Sequence, residues 1–335
     1  MKRAFGLVTA VCLIILIGFP TVIAIMLKSP IEVGDDTGMY MKLLDHRTGK
    51  VISMTVEQYL VGVVSAEMPI TFEPEALKAQ AVAARTYAMK RIEEGKKKKF
   101  PEHRGADLCS NPSHCQAWNS KETLMNNWGI TSYMSNLKKV TNAVEETQGL
   151  VITYNGQLID AVYHSSCGGF TEDSGNVWVS QVPYLVAVEC NYEQANNKLK
   201  ETKTWSASSL KSIFGIGQWA VAASASADVM NKAKMADPGT VQVIDATDSD
   251  RARYVSIFGT LIDAKVVRQK LGLKSTKIQV NNLPGSVEFT TYGYGHGVGM
   301  CQYGANGMAS AGMTFDQILH HYYTGVQISV AVAGK

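Results

Sequence analysis

Glu67 is the residue whose type and position in this sequence best suit acid catalysis. Four apolar residues precede it at spacings that mark one face of a helix: Val56, Leu60, Val63 and Val64. Glu67 continues that face, so the apolar stripe ends in an acid. Burial disfavours the charged form of a carboxyl group, and a neutral carboxylic acid can donate a proton to a leaving group. The alternative is an acid at a frayed helix end, in water or paired with Arg85.

A second set of reactive side chains lies in the turn-rich segment 101–119. It contains two imidazoles and two thiols: His103, Cys109, His114 and Cys115. These are the donor types of a structural zinc site, although their spacing is not that of a zinc finger. A Cys109–Cys115 disulfide and free thiols are the alternatives. If four protein ligands hold a zinc ion, the site is structural, because no position stays open for water or substrate.

Polar side chains beside glycines in two later segments could contact a polymer. Glycine allows a ligand or another backbone to approach closely. The run 293–307 is rich in glycine but lacks the G-K-[ST] ending of a nucleotide phosphate loop, and no βαβ unit surrounds it. An ordinary polar strand end is the alternative for the candidates at 163–166, and plain packing is the alternative for those in 293–307. The candidates in these segments are Tyr163, Ser165, Ser166, His296, Gln302 and Tyr303.

Two predicted helices position Glu67. Thr55 and Gln58 form a capping box that starts the first helix. Pro69, two residues after Glu67, stops this helix. Pro74 suits the first turn of a second helix, whose many alanines let neighbouring elements approach closely.

The remaining pattern predicts hairpins and helices in mixed order. Strand pairs are predicted around 47–50, around Asn155-Gly156 and within 240–259. Further helices are predicted at 123–144, after a cap at Ser206 or Ser208, at 263–273 and from Thr314 to Gly325, whereas 219–240 is predicted to be irregular. Because no regular βαβ alternation occurs, we predict an α+β fold of helices and antiparallel hairpins that form a cleft.

The composition is that of a folded protein. Of 335 residues, 46% are hydrophobic and 18% are charged, which excludes a disordered chain. The net charge of +3 is too small to indicate nucleic-acid binding, and the sequence contains no DNA- or RNA-binding motif. Six cysteines do not make a disulfide-dense scaffold. With Cys12 in the apolar N-terminus, an odd number remains, so at least one of them is unpaired within the monomer.

The N-terminal segment predicts a membrane anchor. Residues 4–27 contain no charge and exceed the ~20 apolar residues that cross a bilayer. This run is too long for a cleavable signal peptide, so we favour an uncleaved, single-pass anchor in the cell membrane. Lys2 and Arg3 precede the run and Lys28 follows it, which predicts a cytosolic N-terminus and an extracytoplasmic remainder. The predicted division into anchor, linker and a catalytic domain of one or two lobes is 1–28, 29–40 and 41–330.

Three separated groups of motifs resemble one protein family. The first is VGVVSAEMP followed by FEPEALKAQAVAARTYA, and the second is YHSSCGGFTED at 163–173. The third is GYGHGVGMCQYGANGMASAG at 293–312, followed by ILHHYYTGV at 318–326. In content and in order these motifs resemble the stage II sporulation protein D family, over roughly residues 40–330.

The resemblance implies a lytic transglycosylase that cleaves MurNAc–GlcNAc bonds of denuded peptidoglycan strands without a catalytic cofactor. The family's catalytic acid, the glutamate of AEMP, falls on Glu67. Ordinary glycosidases use two carboxylates. A single acid in a motif instead fits a reaction in which the sugar's own hydroxyl closes a 1,6-anhydro ring. The residues expected to hold the strand are Arg85, Tyr163, Ser165, Ser166, His296, Gln302 and Tyr303.

The resemblance also implies partners and a metal. The expected partners are a sporulation cell-wall amidase and membrane proteins of the engulfment complex, acting together on septal wall; nucleic acid is not expected. Some family members carry a metal in a Cys/His loop such as 103–115. The same module is similar to amidase-enhancer proteins, which leaves a non-catalytic, glycan-binding activator as the alternative function. A zinc amidase is a weaker alternative, because the Cys/His cluster offers no open ligand position.

Overall fold

The computed structural model describes residues 14–18, 21, 33, 38–98, 100–178, 180–193, 199–216 and 225–331. Across these ranges, no helix combines the length and the apolar character needed to cross a membrane. The predicted anchor at 4–27 lies mostly outside the described residues. Of this segment the structure describes only Ile14–Gly18, which is a short π-helix, and residue 21. The anchor therefore stays a prediction.

Helices and strands alternate irregularly along the described chain, which confirms the α+β class. In chain order the α-helices are α1 Val56–Glu67, α2 Pro74–Lys97, α3 Lys121–Glu145, α4 Ser174–Val177, α5 Ala207–Phe214, α6 Ala227–Met235, α7 Ala264–Leu271, α8 Gln302–Ser310 and α9 Phe315–Tyr322. The strands are β1 Tyr40–Asp45, β2 Lys50–Thr55, β3 Leu108–Cys109, β4 Leu150–Tyr154, β5 Gln157–Leu158, β6 Tyr163–His164, β7 Lys200–Ser206, β8 Val241–Ala246, β9 Ala252–Ile257, β10 Thr260–Asp263, β11 Ile278–Leu283, β12 Ser286–Tyr292, β13 Met300–Cys301 and β14 Gln327–Val330.

These residues form two compact units. The first unit comprises the described residues up to Thr71 together with Arg91–Gly149, and the second comprises Phe72–Lys90 with Leu150–Ala331. The boundary falls within α2, between Lys90 and Arg91.

In the first unit, a three-stranded sheet accompanies α1 and α3. The sheet order is β2–β1–β3, with β2 antiparallel and β3 parallel to β1. The capping box predicted at the start of α1 is confirmed, because Thr55 and Gln58 exchange side-chain-to-backbone hydrogen bonds. The predicted helix over 123–144 is also confirmed as α3, with non-helical backbone at Gly129.

The second unit contains four small sheets. Their orders are β14–β4–β5, β10–β9–β8, β11–β12–β7 and β13–β6. The predicted hairpin turn at Asn155-Gly156 is confirmed: both residues have positive φ, 51° and 75°, as a type I′ turn requires. A buried apolar cluster joins the sheets that contain β9 and β12 to α5 and α7, through residues such as Phe214, Val267 and Phe289.

Two sequence predictions about helices in the second unit are wrong. The segment 219–240 is not irregular throughout, because it contains α6, which Ser226 caps by accepting the N–H of Val229. Ser226 is an ordinary N-cap residue, and the polar composition of α6 hid the helix. The last helix ends at Tyr322 rather than Gly325, because Tyr323 already has extended backbone (φ −119°, ψ 105°).

Candidate active site and donor clusters

Glu67 is the last residue of α1 in the first unit. Its side chain is half-buried, and its Oε1 accepts the backbone N–H of Ala117 at 2.7 Å. The preceding turns of α1 are buried, with Leu60, Val63 and Val64 fully inaccessible to solvent. The predicted apolar stripe therefore does pack against protein and end in a partly accessible carboxyl group.

Segment 116–119 runs alongside α1 and fixes the surroundings of Glu67. Tyr59 Oη donates to Gln116 Oε1 at 3.0 Å, and the N–H of Asn119 donates to the carbonyl of Gly62 at 3.2 Å. A side chain at position 62 would overlap the indole of Trp118, so glycine permits this close approach. Ala117, which binds Glu67, lies within this well-packed segment.

The four predicted donors of the Cys/His loop converge in the first unit; we call His103, Cys109, His114 and Cys115 the His/Cys cluster. Their donor atoms all lie within 4.8 Å of one another. His103 Nε2 is 3.1 Å from His114 Nδ1, and the Sγ of Cys115 is 3.3 Å from His103 Nε2. A tetrahedral zinc ion with ordinary bond lengths sets its ligand atoms about 3.3–3.8 Å apart. The cluster therefore fits zinc in both donor type and spacing.

Local backbone structure explains how neighbouring His114 and Cys115 both reach the cluster. The N–H groups of both residues donate to the carbonyl of Asn111, at 3.0 and 2.8 Å, in a tight turn. Burial and the nearby His114 lower the pKa of His103, which favours the neutral imidazole that a metal requires. Cys109 and Cys115 are free thiols in the structure.

Six of the predicted strand-binding residues lie on two neighbouring segments of the second unit. Strand β6 pairs in parallel with β13, so Tyr163 lies beside Met300 and His164 beside Cys301. The N–H of Tyr303 donates to the carbonyl of Ser165 at 3.0 Å. The structure therefore brings together Tyr163, Ser165, Ser166, His296, Gln302 and Tyr303 within segments 163–166 and 294–303.

Exposure divides these candidates. Tyr163, Ser165, His296 and Tyr303 are partly exposed. In contrast, Arg85, Ser166 and Gln302 are 1%, 0% and 5% exposed. A buried side chain cannot touch a polymer without rearrangement, so these three residues suit structural roles.

The buried candidates have protein partners within the second unit. Arg85 Nη1 donates to the carbonyl of Leu150 at 3.1 Å, and Gln302 Nε2 donates to Gln80 Oε1 at 3.2 Å. The Ser166 hydroxyl donates to Glu193 Oε1. Among the accessible candidates, Tyr303 packs edge-on against Phe72, with ring centroids 5.0 Å apart.

Sequence reasoning named His296 but missed its contact with His164 and the buried Arg251 beside them. The rings of His164 and His296 lie 5.6 Å apart, and Trp178 lies 5.3 Å from His296. Burial and the positive charges of Arg251 and Arg268 lower the pKa of His296 to about 4. Burial and His296 lower the pKa of His164 well below its usual value. No local pattern marks Arg251, because it meets these residues only through the fold.

Comparison with known proteins places this arrangement in a family. A family model described as stage II sporulation protein matches residues 44–154, which include Glu67 and the His/Cys cluster. Stage II sporulation protein D of Bacillus subtilis (strain 168) is 38% identical over 284 residues, which cover 84% of this chain and 77% of the relative. The chain belongs to the stage II sporulation protein D family.

Two further relatives indicate the breadth of this family. Stage II sporulation protein D of Bacillus amyloliquefaciens is 37% identical over 282 residues, covering 84% of this chain and 76% of the relative. A protein named amidase enhancer, from Bacillus subtilis (strain 168), is 33% identical over 308 residues, covering 81% of this chain but 40% of its own length. This chain is thus similar to proteins with different functional names.

Proposed function

We propose that this protein is a peptidoglycan lytic transglycosylase that acts in wall remodelling during sporulation, with Glu67 as its catalytic acid. One observation carries the proposal. The half-buried carboxyl group of Glu67 ends an apolar helix face, and the N–H of Ala117 orients it. The AEMP motif and membership of the stage II sporulation protein D family support it further.

In the proposed reaction Glu67 serves first as acid and then as base. Its proton passes to the glycosidic oxygen while the bond from that oxygen to C1 of N-acetylmuramic acid breaks. The carboxylate then accepts the proton of the muramic C6 hydroxyl, whose oxygen bonds to C1. The products are a 1,6-anhydro end and a free N-acetylglucosamine end, and no water is consumed. The sugar's hydroxyl replaces the second carboxylate of an ordinary glycosidase.

The accessible residues of the second unit are the proposed contacts to the glycan. Tyr163, Ser165, His296 and Tyr303 offer hydroxyl and imidazole groups that can bond sugar hydroxyls and N-acetyl groups. The buried Arg85, Ser166 and Gln302 have structural roles through their bonds to Leu150, Glu193 and Gln80. The preferred substrate is denuded glycan, as the family resemblance implies.

The His/Cys cluster is a proposed structural zinc site of the first unit. Four protein ligands leave zinc no position for substrate, so the ion supplies no step of the reaction. Cys115 lies two residues before Ala117, whose N–H binds Glu67. Fixing Cys115 therefore restrains the segment that orients the acid.

The proposed setting is the outer face of the cell membrane. A single-pass anchor with a cytosolic N-terminus tethers the domain there. The proposed partners are a cell-wall amidase that removes stem peptides and membrane proteins of the engulfment complex. The relative named amidase enhancer favours a second candidate function, a non-catalytic glycan-binding activator of such an amidase.

Mass analysis of digested glycan tests the first function against the second. Denuded strands incubated with the wild-type protein should yield fragments ending in 1,6-anhydro sugars, and Glu67→Gln should yield none. Glu93→Gln, which neutralises an exposed acid of the same unit, is the matched control and should cleave normally. Glycan fragments that end in a reducing sugar would instead show that the protein is a hydrolase. Intact strands with wild-type protein, together with increased amidase turnover, would favour the activator.

A further inference from the structure

Three buried cysteines and one glutamate meet in the second unit; we call Cys167, Cys190, Cys301 and Glu193 the thiol cluster. The three Sγ atoms and a carboxylate oxygen of Glu193 all lie within 4.8 Å of one another. The cysteines are at most 1% exposed, and all three are free thiols. Nothing in the proposed glycan chemistry uses them.

The backbone holds the thiol cluster from several sides. Cys301 lies on β13 beside β6, and the N–H of Cys190 donates to the carbonyl of Gly169 at 2.9 Å. Glu193 Oε2 accepts the N–H groups of Gly168 and Gly169, at 2.8 and 3.2 Å. The donors are thus preorganised before any ligand binds.

Polar hydrogens point at the sulfur atoms. Cys301 Sγ accepts the backbone N–H groups of Cys167 and Gly304, both at 3.3 Å, and Tyr322 Oη lies 3.1 Å from Cys190 Sγ. A side chain at position 304 would overlap Cys190 and Tyr322, so this shell is closely packed. Hydrogen bonds to sulfur are the usual outer shell of metal-bound thiolates.

The four side chains bind a metal only as three thiolates and a carboxylate. Holding several negative charges together in a buried site requires a compensating cation.

We propose that Cys167, Cys190, Cys301 and Glu193 form a second metal site, which binds zinc or a similar divalent ion. Thiolates with one carboxylate are donors that zinc accepts and that magnesium and calcium do not favour. Glu193 oxygens lie 3.3 Å from Cys167 Sγ and 3.8 Å from Cys301 Sγ. These separations match the edges of about 3.5 Å that a tetrahedral zinc site requires. Four protein ligands fill the coordination shell, so the ion is structural.

Zinc content of the full chain, purified under reducing conditions without chelator, tests this site. The wild type should hold about two zinc ions per chain. The double variant Cys190→Ser/Cys301→Ser should hold only the zinc ion of the His/Cys cluster. The double variant Cys109→Ser/Cys115→Ser should hold only that of the thiol cluster. Combining the four substitutions should leave none. Glu193→Gln keeps the size and an acceptor oxygen, so it should stay folded while its zinc affinity falls at least about tenfold.

Cobalt substitution of the wild type gives a readout that needs no variant. Sulfur-to-cobalt charge-transfer absorption should correspond to three thiolates at the thiol cluster and two at the His/Cys cluster. Unchanged zinc content in folded Cys190→Ser/Cys301→Ser protein would overturn the proposal. So would a disulfide mapped between two of the three cysteines in protein purified without reductant, since it would remove two of the ligands.

Discussion

The two donor clusters are built in opposite ways. Members of the His/Cys cluster lie within thirteen residues of one another, with Cys109 at the end of β3, and their imidazoles and thiols contact each other. The thiol cluster instead gathers cysteines up to 134 residues apart, and backbone N–H groups already bind its sulfur and carboxylate atoms. Ordering a loop costs conformational entropy that a bound ion can offset. We therefore expect the proposed ion to contribute more to the order of the His/Cys cluster than to that of the thiol cluster.

Removing metal should show the largest difference between the two clusters, in the protection of their backbone amides. After chelation, amide hydrogens in segment 101–119 should exchange at least about tenfold faster, because that loop loses its cross-link. Amides of Gly168 and Gly169 should keep their protection, because Glu193 Oε2 still accepts both N–H groups. Hydrogen exchange followed by mass spectrometry checks this difference. Equal loss of protection in both segments would contradict the comparison.

The N–H of Ala117, two residues after Cys115, binds Glu67, the proposed acid, and proline substitution removes this N–H. Ala117→Pro should lower the turnover number about 100-fold, because misplacing a catalytic group costs that order of rate. Ala117→Gly keeps the N–H and is the matched control, expected within about threefold of the wild type. Both variants should retain zinc, so elemental analysis excludes a collapsed loop as the cause. Equal activity of the two variants would show that this hydrogen bond does not orient Glu67.

Side chains of the second unit should affect binding more than turnover. Tyr303→Phe removes one hydroxyl but keeps the ring that packs on Phe72, and it should raise the KM for denuded glycan about threefold to tenfold. Gln80→Leu, which alters only a buried partner of Gln302, is the control for indirect effects on stability. A fall in kcat with unchanged KM for Tyr303→Phe would give this residue a role in the reaction itself.

The same contrast explains what the sequence could predict. The capping box at Thr55, the Asn155-Gly156 turn and the His/Cys cluster were predictable because their signals lie within a few residues of one another. Whether Ser166 and Gln302 are exposed depends on the pairing of β6 with β13, which no local pattern encodes. The thiol cluster could not be predicted for the same reason. The odd number of cysteines did not indicate which of them meet in the fold.

Acid should destabilise the second unit through the neighbouring residues His164 and His296. The folded-state pKa values of His164 and His296 are lowered, so the unfolded state binds protons first as pH falls below about 6.5. Stability is therefore present above pH 6.5 and lost toward pH 4, by ~1–2 kcal/mol for His296 at pH 5. Chemical denaturation of the Cys109→Ser/Cys115→Ser protein at pH 7 and pH 5, with a chelator present throughout, measures this loss without zinc release from either cluster. His296→Gln should reduce the loss; an unchanged loss would exclude His296 as its source.

The smallest expected difference concerns two matched helix caps, one in each unit. Thr55 and Gln58 cap α1, and Thr314 and Gln317 cap α9 in the same reciprocal way. Thr→Ala at either position removes the accepting hydroxyl and should cost about 1 kcal/mol of unfolding free energy. Thr→Ser keeps the hydroxyl, so it should recover most of that loss. Thr55 is 7% exposed whereas Thr314 is exposed, so Thr55→Ala should cost more, because it leaves the partly buried N–H of Gln58 without its acceptor. Denaturant titration of the four variants measures this order, and a larger cost at Thr314 would mean that solvent access does not decide the strength of these caps.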